Sequence, residues 1–236
     1  MTIDALVDSV RAGLRAQVDA EFQRGQFRFF QEQVQTYGVR GPAVKRVAAE
    51  VYRTVKVWPP AERNQFCARL WESGMLEEGA VPIYFYRRLG KQCGAAEFRM
   101  FEKWIDRYVR NWAHCDGVSS WLLASCIAND PGLIEKLPAW TRSRNRWKRR
   151  AAVVALLQEG KRGRHTDEIF RIAAPLMTDP DDMVQKGVGW LLKETYPKKP
   201  REVVEFLQPW KARAPRLLLR YAAEKMTARD RKAVLR

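Results

Sequence analysis

Residues 111–126 read NWAHCDGVSSWLLASC. Wound at 3.6 residues per turn, they place Cys115, Val118, Leu122 and Cys126 in one apolar stripe flanked by Trp121 and Ser125. Trp112 and Asp116 stack one turn apart, well round from the centre of that stripe. The period is that of an amphipathic helix, and it recurs along the chain. Helices are expected over roughly 3–24, 26–36, 42–56, 60–72, 77–91, 95–109, 112–127, 131–140, 143–158, 166–177, 181–195, 200–212 and 215–226. The breaks carry matching punctuation: Pro42 near a first turn, Pro59-Pro60, Asn129-Asp130-Pro131, and acids at Asp179, Asp181 and Asp182 where the helix dipole favours them. No alternating β-branched run stands out.

These helices read as antiparallel pairs recurring at roughly 35–45 residues. The expected fold class is all-α, a HEAT-like α-solenoid in one domain over 1–236, with a concave basic surface. An irregular helical bundle is the alternative by pattern alone. No long apolar run suggests a membrane span. The start, Met-Thr-Ile-Asp-Ala-Leu-Val-Asp, is acidic, unlike a secretory signal, so a cytoplasmic location is expected. Cys67, Cys93, Cys115 and Cys126 show no C-x-x-C spacing, and His114 and His165 are the only histidines. Reduced thiols and no metal site are expected.

The net charge of +16 is unevenly spread. Residues 1–140 hold 19 basic and 16 acidic side chains, residues 141–236 hold 24 and 11. This points to a polyanion surface built mainly by the second half, against the alternative of a merely solvated basic face. The same charge disfavours self-association, so a monomer is expected. Arg142, Arg144, Arg146, Lys148, Arg149 and Arg150 crowd the start of one helix, where cations oppose the dipole but suit a phosphate. Beyond them Ala151–Leu157 is apolar all round, which anchors Arg150 at the boundary of a buried turn. In the third segment, Val184, Val188, Leu191 and Thr195 form a stripe, with Trp190 off it beside Lys186. Gly187 and Gly189 permit a close approach of a neighbouring helix or of nucleic acid.

Each feature has an ordinary structural reading: a core Trp, a dipole Asp, a solvated basic face. Together they suit a sugar-phosphate with developing positive charge, because ring faces and a carboxylate stabilise an electron-poor deoxyribose. These segments resemble the DNA alkylation repair enzymes of the AlkD type, HEAT-like-repeat DNA glycosylases, over most of the chain. The resemblance is clearest from Tyr37-Gly-Val-Arg-Gly-Pro42 to Tyr196. It implies a catalytic Asp116 with Trp112 and Trp190, and DNA contacts from Arg150, Arg149, Lys148, Arg146, Lys186 and Arg40. Phe29 stands where the family has a tyrosine near the lesion. The implied partner is double-stranded DNA containing alkylated purines. The implied reaction is hydrolysis of the N-glycosidic bond of cationic N3- or N7-alkylated purines, without base flipping and without a cofactor. The rival is a non-catalytic HEAT-like module that binds damaged or branched DNA.

Overall fold

Thr2 opens the first helix, its hydroxyl accepting the Ala5 amide at 3.2 Å. The computed structural model describes residues 2–235. Helix α1 (Ile3–Arg15) turns Leu6, Val7, Val10 and Leu14 inward, at the spacing a single buried face requires. It stops at Ala16, and α2 (Ala20–Gln26) starts afresh under the Asp19 carboxylate, which accepts the Phe22 amide. The expected helix over 3–24 is therefore two helices, because Asp19 satisfies the new amide end.

The helix expected over 26–36 is absent. A 3₁₀ turn at Phe27–Phe29 leads instead into extended chain, with isolated bridges Val18 to Val39 and Gln35 to Met75. Within that range the Gln35 carbonyl accepts the Leu76 amide at 2.8 Å, a tertiary bond in place of a helical one, and the chain just beyond is held by a side chain from elsewhere. Glu77, 2 % exposed, accepts the Thr36 hydroxyl and the Tyr37, Gly38 and Val39 amides, at 2.7–3.0 Å. A carboxylate that gathers three successive amides replaces the helical ladder at those residues. Val34, Thr36 and Gly38 are buried while Gln35 is exposed, which is a strand's alternation in a stretch too short to read beforehand.

The remaining order is α3 (Gly41–Val55), α4 (Pro60–Glu72), α5 (Leu76–Arg88), α6 (Ala95–Arg107), α7 (Trp112–Gly117), a π-helical stretch (Val118–Leu123) and α8 (Ala124–Asn129). A 3₁₀ turn (Pro131–Lys136) precedes α9 (Leu137–Trp140), α10 (Arg146–Val154), α11 (Leu157–Arg162), α12 (Thr166–Ala173) and α13 (Asp182–Thr195). The chain closes with α14 (Pro200–Leu207), α15 (Arg216–Ala222) and α16 (Ala228–Leu235). The element expected over 143–158 begins three residues later, at Arg146 under the Asn145 cap, and a turn at Ala155-Leu156 divides it from α11. Helix α16 stands outside the expected set. The all-helical, HEAT-like class holds: among the described residues there are no strands beyond the two bridges. None of the described helices is long and apolar enough to cross a membrane.

The chain divides into two compact units, one made of the residues up to Gln92 with Arg107–Gly117, the other of Cys93–Asp106 and the chain from Val118 onward. In the first, α1, α3, α4, α5 and α7 share a core that includes Phe66, Leu70, Phe85 and Val55. In the second, α13 is the central post, packed by α10, α11 and α15. Residues Ala151–Leu157 are at most 1 % exposed, as their all-round apolar character requires. Val184, Val188, Leu191 and Thr195 are fully buried, as are Cys115, Val118, Leu122 and Cys126.

The glycines of α13 serve helix packing. A Cβ on Gly189 would lie 2.8 Å from the Leu218 carbonyl oxygen and 2.5 Å from the Tyr221 Cβ, and one on Gly187 would meet Arg150. Gly189→Ala gains about 1 kcal/mol of helix propensity. The clash is with the backbone of α15, which cannot rotate away, and forced displacements of that kind cost about 1–3 kcal/mol or more. We expect a net loss of stability, read as a lower urea midpoint with an unchanged slope. A higher midpoint would show that α15 yields freely.

Candidate active site

Helix α7 begins where Asn111 stops the preceding chain. The Asn111 Oδ1 accepts the His114 amide at 2.9 Å, and its carbonyl accepts the Cys115 amide at 3.1 Å. His114, Cys115 and Gly117 are buried, whereas Trp112 and Asp116 are half-buried on the other side. The two residues singled out by spacing thus share one face, off the buried stripe. Trp112 is held as a rigid plate: its Nε1–H donates to the Phe29 carbonyl at 2.9 Å, and Phe30 stacks on it at 5.4 Å and 22°.

Phe29, expected near a lesion, is 71 % exposed, and Phe27 is 50 % exposed. Phe29 reaches Trp112 through its carbonyl; it is Phe30 that meets the indole face. Arg40, an expected DNA contact, is exposed but engaged, with its Nε 2.9 Å from an Asp19 oxygen and its guanidinium 4.8 Å over the Phe22 ring. That pairing and the Phe22 amide bond lower the Asp19 pKa, the amide bond more.

The second unit holds the cationic candidates, and most are ion-paired. Arg149 grips Asp179 with two bonds, at 2.7 and 3.1 Å, and also donates to the Ser143 carbonyl. Lys148 sits 2.9 Å from Glu102 and 2.7 Å from Asp106, with its ammonium 5.5 Å over Trp140. Burial would depress the Lys148 pKa, but the hydrogen bonds to Asp106 and Glu102 outweigh it and raise the value. Arg146 pairs with Asp181 at 3.2 Å and lies over Trp147, and Lys186 pairs with Asp182 at 3.0 Å. The crowd of cations at the start of α10 is therefore offset by acids from α6 and from the start of α13. Asp181 does double duty, since it also caps α13 through the Met183 and Val184 amides.

Arg150 is 5 % exposed and donates through Nη1 to the Met183 carbonyl. It is a buried guanidinium rather than one held at a boundary. Trp190 on α13 is half-buried, and among the described residues no ring stacks on it and no group accepts its indole N–H. Arg142 and Arg144 are exposed, with no acid paired to either among the described residues. Sequence reasoning counted these two in the crowd without seeing that they are its unpaired members. The signal was faint: the Asp179–Asp182 acids were legible, but their pairing with residues some thirty positions away was not.

His114 was passed over because its only legible role was as a metal ligand. Among the described residues no His/Cys/Asp/Glu group could hold a metal ion. The ring has other work. Its Nε2 lies 2.8 Å from the Leu76 carbonyl, which can only accept, so Nε2 carries the proton. Nδ1 then accepts from the Asn111 amide at 3.3 Å.

A family model described as "DNA alkylation repair enzyme" matches residues 10–226. A solved structure described as a predicted DNA alkylation repair enzyme from Enterococcus faecalis superposes with a TM-score of 0.80 at 17 % identity, covering 90 % of this chain and 98 % of that one. At that identity the likeness is one of fold. No curated protein matches the chain.

Burial lowers the His114 pKa to about 4, against 6.5 for an ordinary imidazole. The folded chain therefore binds fewer protons than the unfolded chain between those values. Stability from this group is complete above pH 6.5 and is lost as pH falls towards 4. With about 1.4 kcal/mol per unit, His114 is expected to cost about 2–3 kcal/mol between pH 7 and 4.5. Urea unfolding at the two pH values, compared between the parent and His114→Gln, should show a smaller drop in the variant. Equal drops would remove His114 from the acid response.

Proposed function

Because this chain belongs to the DNA alkylation repair enzyme family, we propose that it is a monofunctional glycosylase for cationic N3- or N7-alkylated purines in duplex DNA. The observation that carries this reading is the shared face of Trp112 and Asp116 on a helix whose other side is buried. Alkylation at N3 or N7 makes the purine a cation, so breaking the C1′–N9 bond returns its electrons to the base and releases a neutral group. No general acid is needed, in contrast to the paired carboxyl groups of glycoside hydrolases. One carboxylate is enough to stabilise the oxocarbenium-like sugar and to orient the water that adds at C1′. The water's proton passes to solvent, leaving a free alkylpurine and an abasic sugar.

In this reading Trp112, fixed by the Phe29 carbonyl and the Phe30 ring, packs against the deoxyribose and excludes bulk water. Trp190, whose indole has no hydrogen bond among the described residues, takes the second aromatic role. Arg142 and Arg144, in the turn before α10, hold the phosphate backbone, with Arg150 buried within α10. Recognition through sugar and backbone requires no pocket that encloses the base, so the base need not be flipped.

The test is release of 7-methylguanine or 3-methyladenine from methylated duplex under single-turnover conditions. Asp116→Asn is expected to lower the rate by about 10²–10³-fold, the usual cost of removing one electrostatic stabiliser. Affinity for the duplex should not fall, since the variant removes a negative charge. Release at the parent rate by the variant would take Asp116 out of the chemistry, and no release by either protein would leave the binding-module reading. For the backbone contacts, Arg142→Ala and Arg144→Ala should each reduce the slope of log affinity against log salt by about 1. Arg149→Ala should instead lower the unfolding midpoint, because it strands the buried Asp179.

A further inference from the structure

Helix α7 is six residues long and runs into the π-helical stretch Val118–Leu123. A π stretch winds fewer degrees per residue than an α-helix, so the α-helical phase of α7 is not continued beyond Gly117. The rotation of α7 about its own axis is set by its own contacts. His114, Cys115 and Gly117 all face inward, and the imidazole of His114 makes polar contacts there. The imidazole donates to the Leu76 carbonyl at the start of α5, accepts from Asn111, and stands edge-on to Trp71 at 4.8 Å and 84°. The α5 backbone lies directly against it: a Cβ on Gly79 would sit 2.7 Å from the His114 Cε1. One turn along, a Cβ on Gly117 would lie 3.1 Å from Ile83.

At about 100° per residue, Trp112 and Asp116 each lie about 160° round α7 from His114, bracketing its far side. A ring fixed on one side therefore aims both residues on the other. With side-chain tips about 5–6 Å from the helix axis, a rotation of about 10° displaces the carboxylate by about 1 Å. A displacement of that size can cost about 10²-fold in rate.

We propose that His114 is a positioning residue: its imidazole, bonded to Leu76 and Asn111, fixes the rotation of α7 and so aims Asp116 and Trp112 at the substrate sugar. This rests on the assignment of Asp116 to the sugar made above. Leu76 is itself anchored, since its amide donates to the Gln35 carbonyl at 2.8 Å while the neighbouring Glu77 holds the chain over Thr36–Val39. The strut thus ends on a fixed support.

Two variants separate aiming from bulk stability. His114→Phe keeps the ring and removes both hydrogen bonds; His114→Gln keeps a donor near the Leu76 carbonyl. Single-turnover release by His114→Phe should fall about tenfold or more, with duplex affinity within about twofold of the parent, and His114→Gln should recover most of the rate. In an Asp116→Asn background His114→Phe should cause no further loss, because it acts through Asp116. Release by His114→Phe at the parent rate, or an equal further loss in that background, would overturn the proposal. A second readout needs no activity: the ¹⁵N-indole signal of Trp112, assigned with Trp112→Phe. It should move in His114→Phe and return in His114→Gln. If the parent releases no alkylpurine, the glycosylase reading fails by itself, and this signal decides the strut: an unmoved resonance overturns it and a displaced one supports it.

Discussion

Glu77, a carboxylate with almost no contact with water, is the interaction on which the first unit depends. It accepts one hydroxyl and three backbone amides from Thr36–Val39. Removing it would strand the Tyr37 and Val39 amides, at about 1–3 kcal/mol for each one left without a partner, while the Thr36 hydroxyl keeps Gln26 and the Gly38 amide keeps the Thr36 oxygen. Its neighbour Glu78 accepts the Tyr37 hydroxyl and pairs with Arg11, so the first turn of α5 ties α1 and the 36–39 chain together. His114 hangs from the residue before this pair, at the Leu76 carbonyl. The face that carries Trp112 and Asp116 is thereby connected to buried charge through a short run of hydrogen bonds. Low local dielectric makes each of those bonds stronger and each missing one more costly, which favours a single arrangement of the segment.

The second unit settles an electrostatic problem of its own. Three cations in the first turns of α10, Arg146, Lys148 and Arg149, oppose its dipole and repel one another. Acids from two other helices offset them: Glu102 and Asp106 on α6, Asp179 and Asp181 around the start of α13. These pairs knit α6, α10 and α13 together, and they leave Arg142 and Arg144 as the exposed charges of the group. A count of positive residues therefore overstates what this segment offers to phosphate. What reaches solvent is decided by which cations have acids beside them.

The helical periods were readable because each apolar stripe lies within one short segment, as with Val184, Val188, Leu191 and Thr195. The candidate pair was readable for the same reason, since Trp112 and Asp116 are separated by a single turn. Residues 26–36 were misread because a helical pattern in one short stretch does not record its distant partners: the Gln35 carbonyl bonds the Leu76 amide and the Thr36 hydroxyl bonds Glu77, both some forty positions later. Asp19 was missed as a cap because the stretch on both sides of it keeps a helical rhythm. The glycines of α13 left two partners open by sequence, and contact with α15 and Arg150 selects between them.

The sequence by itself determined the helical class, most helix positions, and the side of α7 on which Trp112 and Asp116 lie, because those depend on neighbours within one or two turns. Tertiary structure alone decided that Arg150 is buried, that Arg149 and Lys148 are ion-paired, and that His114 is a neutral donor to Leu76. Each of those outcomes turns on a partner brought from a distant part of the chain. Charge and hydrogen bonding act through space at a few ångströms, and no spacing along a single helix records which distant residue will arrive there.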